Sequence, residues 1–405
     1  MTGLKHLVIG TPQGVSGELI KESRFAFKYS ATDKPCELSL AMPIRAESYS
    51  SGALLPIFDM NRPEGYLLLK IEEAMAKHGG LDDMRLLAIT GRSQIGRLTV
   101  TEPDLEAPAR RPPIGLHEIL TARPTSDLFA FLVENYFESG ISGVQPKVML
   151  PDADRPASRD ERAPTAHSNL IVKASPATYP HVTQNEILCM SAAKRAGILV
   201  PDFWLSEDGD LFVLERFDLT PAAPLGFEDM TVLVGKSAHR KYEGSYEGIA
   251  AAVRRYCANA DPVRELQRFF EYVAFTAMVR NGDGHLKNFG LLYEHPAVAD
   301  SIRLAPLYDV VTTSIYGWTD TRTGVTSYDR TLALNLSKSN SYPDRATLVE
   351  FGSRVCDVPE PGKVLERIAD AMTATLSELG NRIDTQLLAQ MRTEWDAGTS
   401  VATDA

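Results

Sequence analysis

The decapeptide NGDGHLKNFG, Asn281 to Gly290, constrains the fold more than any other stretch. Ahead of it, Asp261 suits a helix cap and Pro262 a first helical turn, and Leu266, Phe269, Phe270, Val273 and Ala277 follow at helical spacing. Behind it runs the apolar segment Leu291 to Tyr293. The pattern predicts a half-buried helix, a short loop and a buried strand. The loop carries an acid, a histidine, a lysine and an amide beside the core, where polar groups are costly unless they find partners.

The chain has 405 residues, 44% hydrophobic and 23% charged, enough for two or three domains with a sizeable core. Its formal net charge of -11 argues against a broad basic surface for nucleic acid on this chain alone. Cys36, Cys189, Cys257 and Cys356 lack C-x-x-C spacing and indicate neither a zinc site nor a disulfide framework. The N-terminal MTGLKHLVIGTPQG lacks the apolar core of a signal peptide, and no apolar run approaches the roughly 18 residues of a membrane span. A reducing, cytoplasmic setting with no membrane partner is the expectation.

Residues 1–110 read as strand-rich, with Leu7-Val8-Ile9 and Phe25-Ala26-Phe27 bounded by Gly, Thr and Ser. A helix is predicted over 63–78 and a Pro-rich linker over 106–115. Residues 117–137 read as helical, and 152–167 as a charged solvent loop. SNLIVKAS and LFVLERFD have the composition of strands, with a helix over 183–197 between them. In that helix Thr183 and Glu186 fit a capping box, and Glu186 also suits pairing with Lys173. Beyond about residue 228 the pattern is mostly helical.

Phosphoryl transfer needs a loop hugging phosphates, a lysine on a strand, a metal-binding acid and amide, and an acid that positions the nucleophile. The chain supplies candidates in that order. SGISGVQPK, Ser139 to Lys147, offers backbone N–H groups to phosphates. Lys173 closes the strand-like NLIVK. Asp283 and Asn288 have the D-x4-N spacing that lets an acid face an acceptor hydroxyl while an amide oxygen reaches metal. Lys287 suits neutralising the moving phosphoryl charge, and His285 suits bracing the loop or touching the nucleotide. Asp309, in LAPLYDV, suits the main magnesium ligand, since magnesium takes hard oxygen donors. Backbone groups of Glu215 and Phe217 in VLERFD suit an adenine edge. Each motif also has a structural reading: a turn for NGDG, a cap for Asn288, a tight turn for SGISG, a strand end for Lys173. GRSQIGR, Gly91 to Arg97, mimics a P-loop, but Arg97 and Leu98 stand where Lys and Ser/Thr are required.

Taken together and in order, SGVQPK, LIVK, NEILCMSAAKRAGILVP, LERFD, GDGHLKNFGLLY and LAPLYDV resemble the HipA family. FDMNRPEGYLL and ITGRSQIGRLTV are similar to the small β-rich subdomain that precedes the kinase core in full-length members. The resemblance implies an α+β, bilobal protein-kinase-like fold. Its parts would be an N-terminal β-rich subdomain over 1–110, a kinase N-lobe over 111–228, and a mostly helical C-lobe over 229–405. It implies a serine/threonine kinase toxin using ATP and Mg2+. On it, Asp283 matches the catalytic aspartate, with Lys287 beside it, and Asn288 and Asp309 match the metal ligands. Ser142, Gly143, Val144, Gln145, Pro146 and Lys147 match the nucleotide-binding loop, and Lys173 the ATP lysine. Glu215, Arg216 and Phe217 match the hinge, while His285 and Tyr308 line the nucleotide site.

One departure stands out. Longer relatives phosphorylate a serine of this loop to silence themselves, and that position reads Gly140 here. Ser142 is the candidate autophosphorylation site, with Ser139 behind it. The resemblance also implies a HipB-like helix-turn-helix antitoxin, DNA contact only through that partner, and an aminoacyl-tRNA synthetase as substrate. A small-molecule (aminoglycoside-type) phosphotransferase and a DNA-bound corepressor are the alternative readings. Trp318 to Asn340 reads as an activation-loop region by its position after Asp309.

Overall fold

A computed structural model describes residues 4–76, 80–103, 114–154, 168–319, 323 and 325–403. Most of the linker read over 106–115 and of the loop read over 152–167, the end of the helix read over 63–78, and part of 318–340 lie outside the described residues. The chain mixes helix and sheet and packs as two compact units. One comprises Met1–Ala174, Trp204–Ala238 and Leu291–Ile302; the other comprises Ser175–Phe203, His239–Gly290 and Arg303–Ala405. Among the described residues no helix is long and apolar enough to cross a membrane.

The first unit holds an antiparallel five-stranded sheet. Its order is Tyr49–Ser51, Phe25–Tyr29, Gly14–Lys21, His6–Thr11, Thr99–Thr101. The predicted runs are the strands: Leu7, Ile9, Leu19, Phe25 and Phe27 turn inward at alternate positions, as a sheet with one buried face demands. A second sheet orders Lys147–Leu150, Leu170–Ala174, Leu211–Glu215 and Phe203–Leu205. NLIVK is fully buried there apart from its start. A helix Gly65–Met75 matches the predicted one; Gly65 enters it at φ +53, and a Cβ there would come within 2.8 Å of the Val144 carbonyl oxygen. The stretch 117–137 forms two helices, Leu116–Thr121 and Thr125–Tyr136. Pro124 divides them, because proline disfavours helical backbone at the preceding residue and lacks an N–H.

The second unit is mostly helical. Pro262–Met278 packs against Tyr246–Tyr256 and Pro361–Leu379. Asp261 caps it as predicted, its carboxylate accepting from Arg264 N at 3.0 Å, and the five apolar positions are buried. The helix Val182–Arg195 forms as read, but the capping box does not. The helix starts after His181, at φ 57, so Thr183 lies inside the first turn and its N–H goes to Ser175 Oγ at 3.3 Å. Short strands interrupt the helices: Gly317–Thr319 pairs with Thr326–Tyr328, and Thr331–Leu336 with Ser339–Ser341. All four cysteines are buried and free.

Candidate active site

In the second unit, the helix Pro262–Met278 releases the chain into the loop through Arg280, whose φ of 58 turns the backbone sharply. The loop is then pinned residue by residue. Asn281 N–H donates to Thr276 O at 2.9 Å, and Gly282 N–H to Thr313 Oγ1 at 2.6 Å. A Cβ on Gly282 would lie 2.6 Å from the Thr331 carbonyl oxygen, so the close approach needs glycine. Asp283 N–H donates to Asn281 Oδ1 at 2.9 Å, leaving the Asp283 side chain 53% exposed. The acid therefore stands at the surface on a loop with little freedom.

Beyond it, His285, Lys287 and Asn288 are buried. His285 N–H donates to Asn288 Oδ1 at 3.1 Å, and Asn288 N–H returns to His285 O at 3.0 Å. The predicted cap role of Asn288 is thus real, and its amide oxygen keeps a second lone pair. Burial, with Lys241 nearby, lowers the His285 pKa to about 3. The ring is neutral near pH 7, so its 4.0 Å approach to Asp283 is not an ion pair. Tyr308 OH donates to Lys287 O at 2.7 Å, fastening the second motif to the first. Asp309 follows at φ 58, a left-handed conformation uncommon outside glycine and asparagine or aspartate. Its Oδ2 lies 3.5 Å from Asn288 Nδ2. An amide and a carboxylate 21 residues apart in sequence thus converge on one spot.

Both side chains carry oxygen donors of the kind magnesium takes, although here the amide faces Asp309 with its Nδ2 while its oxygen accepts from His285 N. Magnesium keeps octahedral oxygen coordination, with one or two carboxylates completed by substrate phosphates. Among the described residues no three His, Cys, Asp or Glu side chains form a metal cage. Asn288 and Asp309 would hold the ion from one side.

In the first unit, Lys147 and Lys173 face each other across antiparallel strands, and both are buried. Two ammonium groups on neighbouring strands suit contact with an anion such as phosphate. Lys173 Nζ also sits 5.6 Å from the Phe212 ring centroid. Gly143, at φ +124, has the Lys147 side chain where a Cβ would go. In the same loop Val144 is exposed, Gln145 Nε2 donates to Ala174 O at 3.3 Å, and Pro146 O accepts from Ala174 N at 3.0 Å.

The three serine-loop positions differ sharply. Ser139 is buried; its hydroxyl donates to Tyr136 O at 2.7 Å and accepts from Met149 N at 2.9 Å. Gly140 N–H donates to Ser93 O at 2.6 Å, and a Cβ there would meet Gln94 Cβ at 2.7 Å. Ser142 is half-buried and donates to Glu64 Oε1 at 2.9 Å, a partner that the sequence did not indicate.

The LERFD strand end is also fixed. Arg216 and Asp218 form a buried two-point ion pair, with Nη2 to Oδ2 at 2.6 Å and Nε to Oδ1 at 3.0 Å. Arg216 also donates to Ser168 O and Gln94 O, and Asp218 Oδ2 accepts from Gly96 N at 2.6 Å. The Arg216 side chain is therefore committed to protein partners. GRSQIGR, set aside as a P-loop, clamps this strand end instead. Glu215 pairs with Leu170 in the sheet, and the Phe217 ring stacks edge-on with Phe227.

Residues 7–101 match the HipA N-terminal domain and residues 139–379 the HipA-like C-terminal domain. Two putative kinases of Sinorhizobium fredii are similar. One is 27% identical over 280 residues, covering 64% of this chain and 63% of the relative. The other is 29% identical over 302 residues, covering 69% of each. The chain therefore spans about 63% of the length of the first. The solved HipA of Shewanella oneidensis MR-1, determined with HipB and operator DNA, superposes with a TM-score of 0.70 at 19% identity, covering 97% of this chain and 96% of that one. With the C-terminal domain match alone extending over more than half of its length, the chain belongs to the HipA family.

Proposed function

We propose that this chain is an ATP- and magnesium-dependent serine/threonine protein kinase acting as the toxin of a toxin–antitoxin pair. The observation that carries the reading is the convergence of Asn288 and Asp309 beside the exposed, backbone-pinned Asp283. The putative kinases among its relatives support it.

Magnesium-ATP supplies the transferable phosphoryl group when bound. Asp283 orients an acceptor hydroxyl and takes its proton. Lys287 offsets charge on the moving group, and Asn288 and Asp309 hold the metal. Lys147, Lys173 and the backbone of Ser142 to Pro146 hold phosphates. Backbone groups at Glu215 to Phe217 read the adenine edge, and His285 and Tyr308 line the nucleotide. The functional division follows residues 1–110, 111–228 and 229–405.

Ser142 is the self-phosphorylation site we favour, because Ser139 is buried with its hydroxyl bonded and Gly140 has no hydroxyl. A phosphate on it would add a charge of about -1.5 to -2. A HipB-like helix-turn-helix antitoxin would restrain the chain and carry it to DNA, as the Shewanella complex of HipA, HipB and operator DNA suggests. The substrate class is an aminoacyl-tRNA synthetase. Induced expression should halt growth, and Asp283→Ala or Asp309→Ala should abolish the arrest. Variants as toxic as the wild type would overturn the kinase reading.

A further inference from the structure

The segment Lys241–Tyr246 meets the loop Asn281–Asn288 at four places, all within the second unit. The Lys241 carbonyl accepts from Leu286 N at 3.1 Å. Tyr246, fully buried, donates its hydroxyl to Gly284 O at 3.0 Å. The Tyr242 hydroxyl donates to Asp283 Oδ1 at 2.7 Å. The Tyr242 ring packs edge-on against the His285 imidazole, with centroids 5.1 Å apart at 72°. A Cβ on Gly284 would lie 3.1 Å from the Tyr246 hydroxyl and 2.7 Å from Thr276 Cγ2, so the loop backbone is pressed into this support.

We propose that Tyr242 is a positioning residue for the Asp283 carboxylate. The inference rests on the reading of Asp283 as the group that orients the acceptor hydroxyl. An exposed aspartate on a loop can turn about two side-chain torsions. A charge-assisted O–H···O bond of 2.7 Å to one oxygen selects one orientation and thereby aims the other oxygen. The Tyr242 backbone is held by its Lys241 neighbour, and its ring is held by His285. The hydroxyl is therefore a fixed reference point, not a gate that swings. Tyr242 is 52% exposed, so removing the hydroxyl alone leaves no buried polar gap on the tyrosine side.

Tyr242→Phe isolates the effect, because phenylalanine keeps the ring contact with His285. The full chain is incubated with magnesium and γ-labelled ATP, and label in the chain and in lysate proteins is followed against ATP concentration. The wild type, Tyr242→Phe, Tyr242→Ala and Asp283→Ala are compared. Tyr242→Phe should transfer about ten- to a hundredfold more slowly at saturating ATP, the penalty of a misaimed reacting group. Its half-saturating ATP concentration should match that of wild type. Tyr242→Ala should be at least as slow. A Tyr242→Phe rate equal to or above wild type would overturn the role, as would a loss arising only from weaker ATP binding. A wild type that labels no acceptor would overturn the kinase reading itself, and the positioning role with it.

Discussion

The Arg216–Asp218 pair makes Asp218→Ala a severe test of how the strand end after Leu211–Glu215 is held. Both side chains are nearly sealed from water, 4% and 1% exposed. In the variant, Arg216 keeps its bonds to Ser168 O and Gln94 O but loses both contacts with the carboxylate, and Gly96 N–H loses its acceptor. Removing one partner of a buried pair costs about 3–5 kcal/mol, since the other charge stays buried uncompensated. For a unit of this size that is a fall of roughly 6–20 °C in unfolding midpoint. Replacing both partners, Arg216→Met with Asp218→Leu, should recover most of the loss, because the desolvation penalty then disappears on both sides. Differential scanning calorimetry of the full chain, followed through its lowest transition, measures both. A single variant costing under about 1 kcal/mol would refute the reasoning, since that is the range of an exposed pair. So would a double variant no more stable than the single.

Two further perturbations act on the first unit. Glu228 is fully buried and accepts from Ser39 Oγ at 2.8 Å, Leu40 N at 2.7 Å and Tyr293 OH at 2.5 Å. Glu228→Gln turns an amide NH2 toward those donors and should cost about 1–3 kcal/mol in thermal unfolding. Burial outweighs the three donors and raises the Glu228 pKa above 4.5. The folded chain then holds that proton more tightly than the unfolded one. Its contribution is full below pH 4.5 and declines as pH rises through the raised pKa; the variant should lack this decline. Gly140→Ser would put a third serine into the loop, but its Cβ would meet Gln94 Cβ at 2.7 Å and the Thr90 carbonyl oxygen at 2.9 Å. It should destabilise by about 1–3 kcal/mol, read as a lowered unfolding midpoint.

Short-range chemistry made much of this molecule legible. Asp261, Pro262 and the apolar period of the next helix wrote their own boundaries, and NLIVK and LFVLE read as strands because both faces are buried. The Asn281–Gly290 loop was legible as an ordered string of polar residues, and the structure supplies the reason for the order. Asn288 folds back on His285 while Tyr308 ties the second motif to Lys287.

Partners distant in sequence were not legible. Glu64 meets Ser142 across 78 residues, and Tyr242 meets Asp283 across 41. Neither carries a local pattern. GRSQIGR showed what it could not be, but its grip on Asp218 depends on a contact 122 residues away. The capping box at Thr183 failed for a different reason: Ser175 reached the same N–H first. Pro124 was visible within 117–137, and its helix-breaking effect decided the outcome there.

The most direct test of the account is intact-mass and phosphopeptide analysis of the purified full chain after incubation with magnesium-ATP, wild type beside Asp283→Ala. The account predicts a single added phosphate, located on Ser142, in the wild type and none in the variant. The contradicting result is the same phosphate in both proteins, or none in either together with no labelled protein in a lysate; the latter would put a DNA-bound corepressor first.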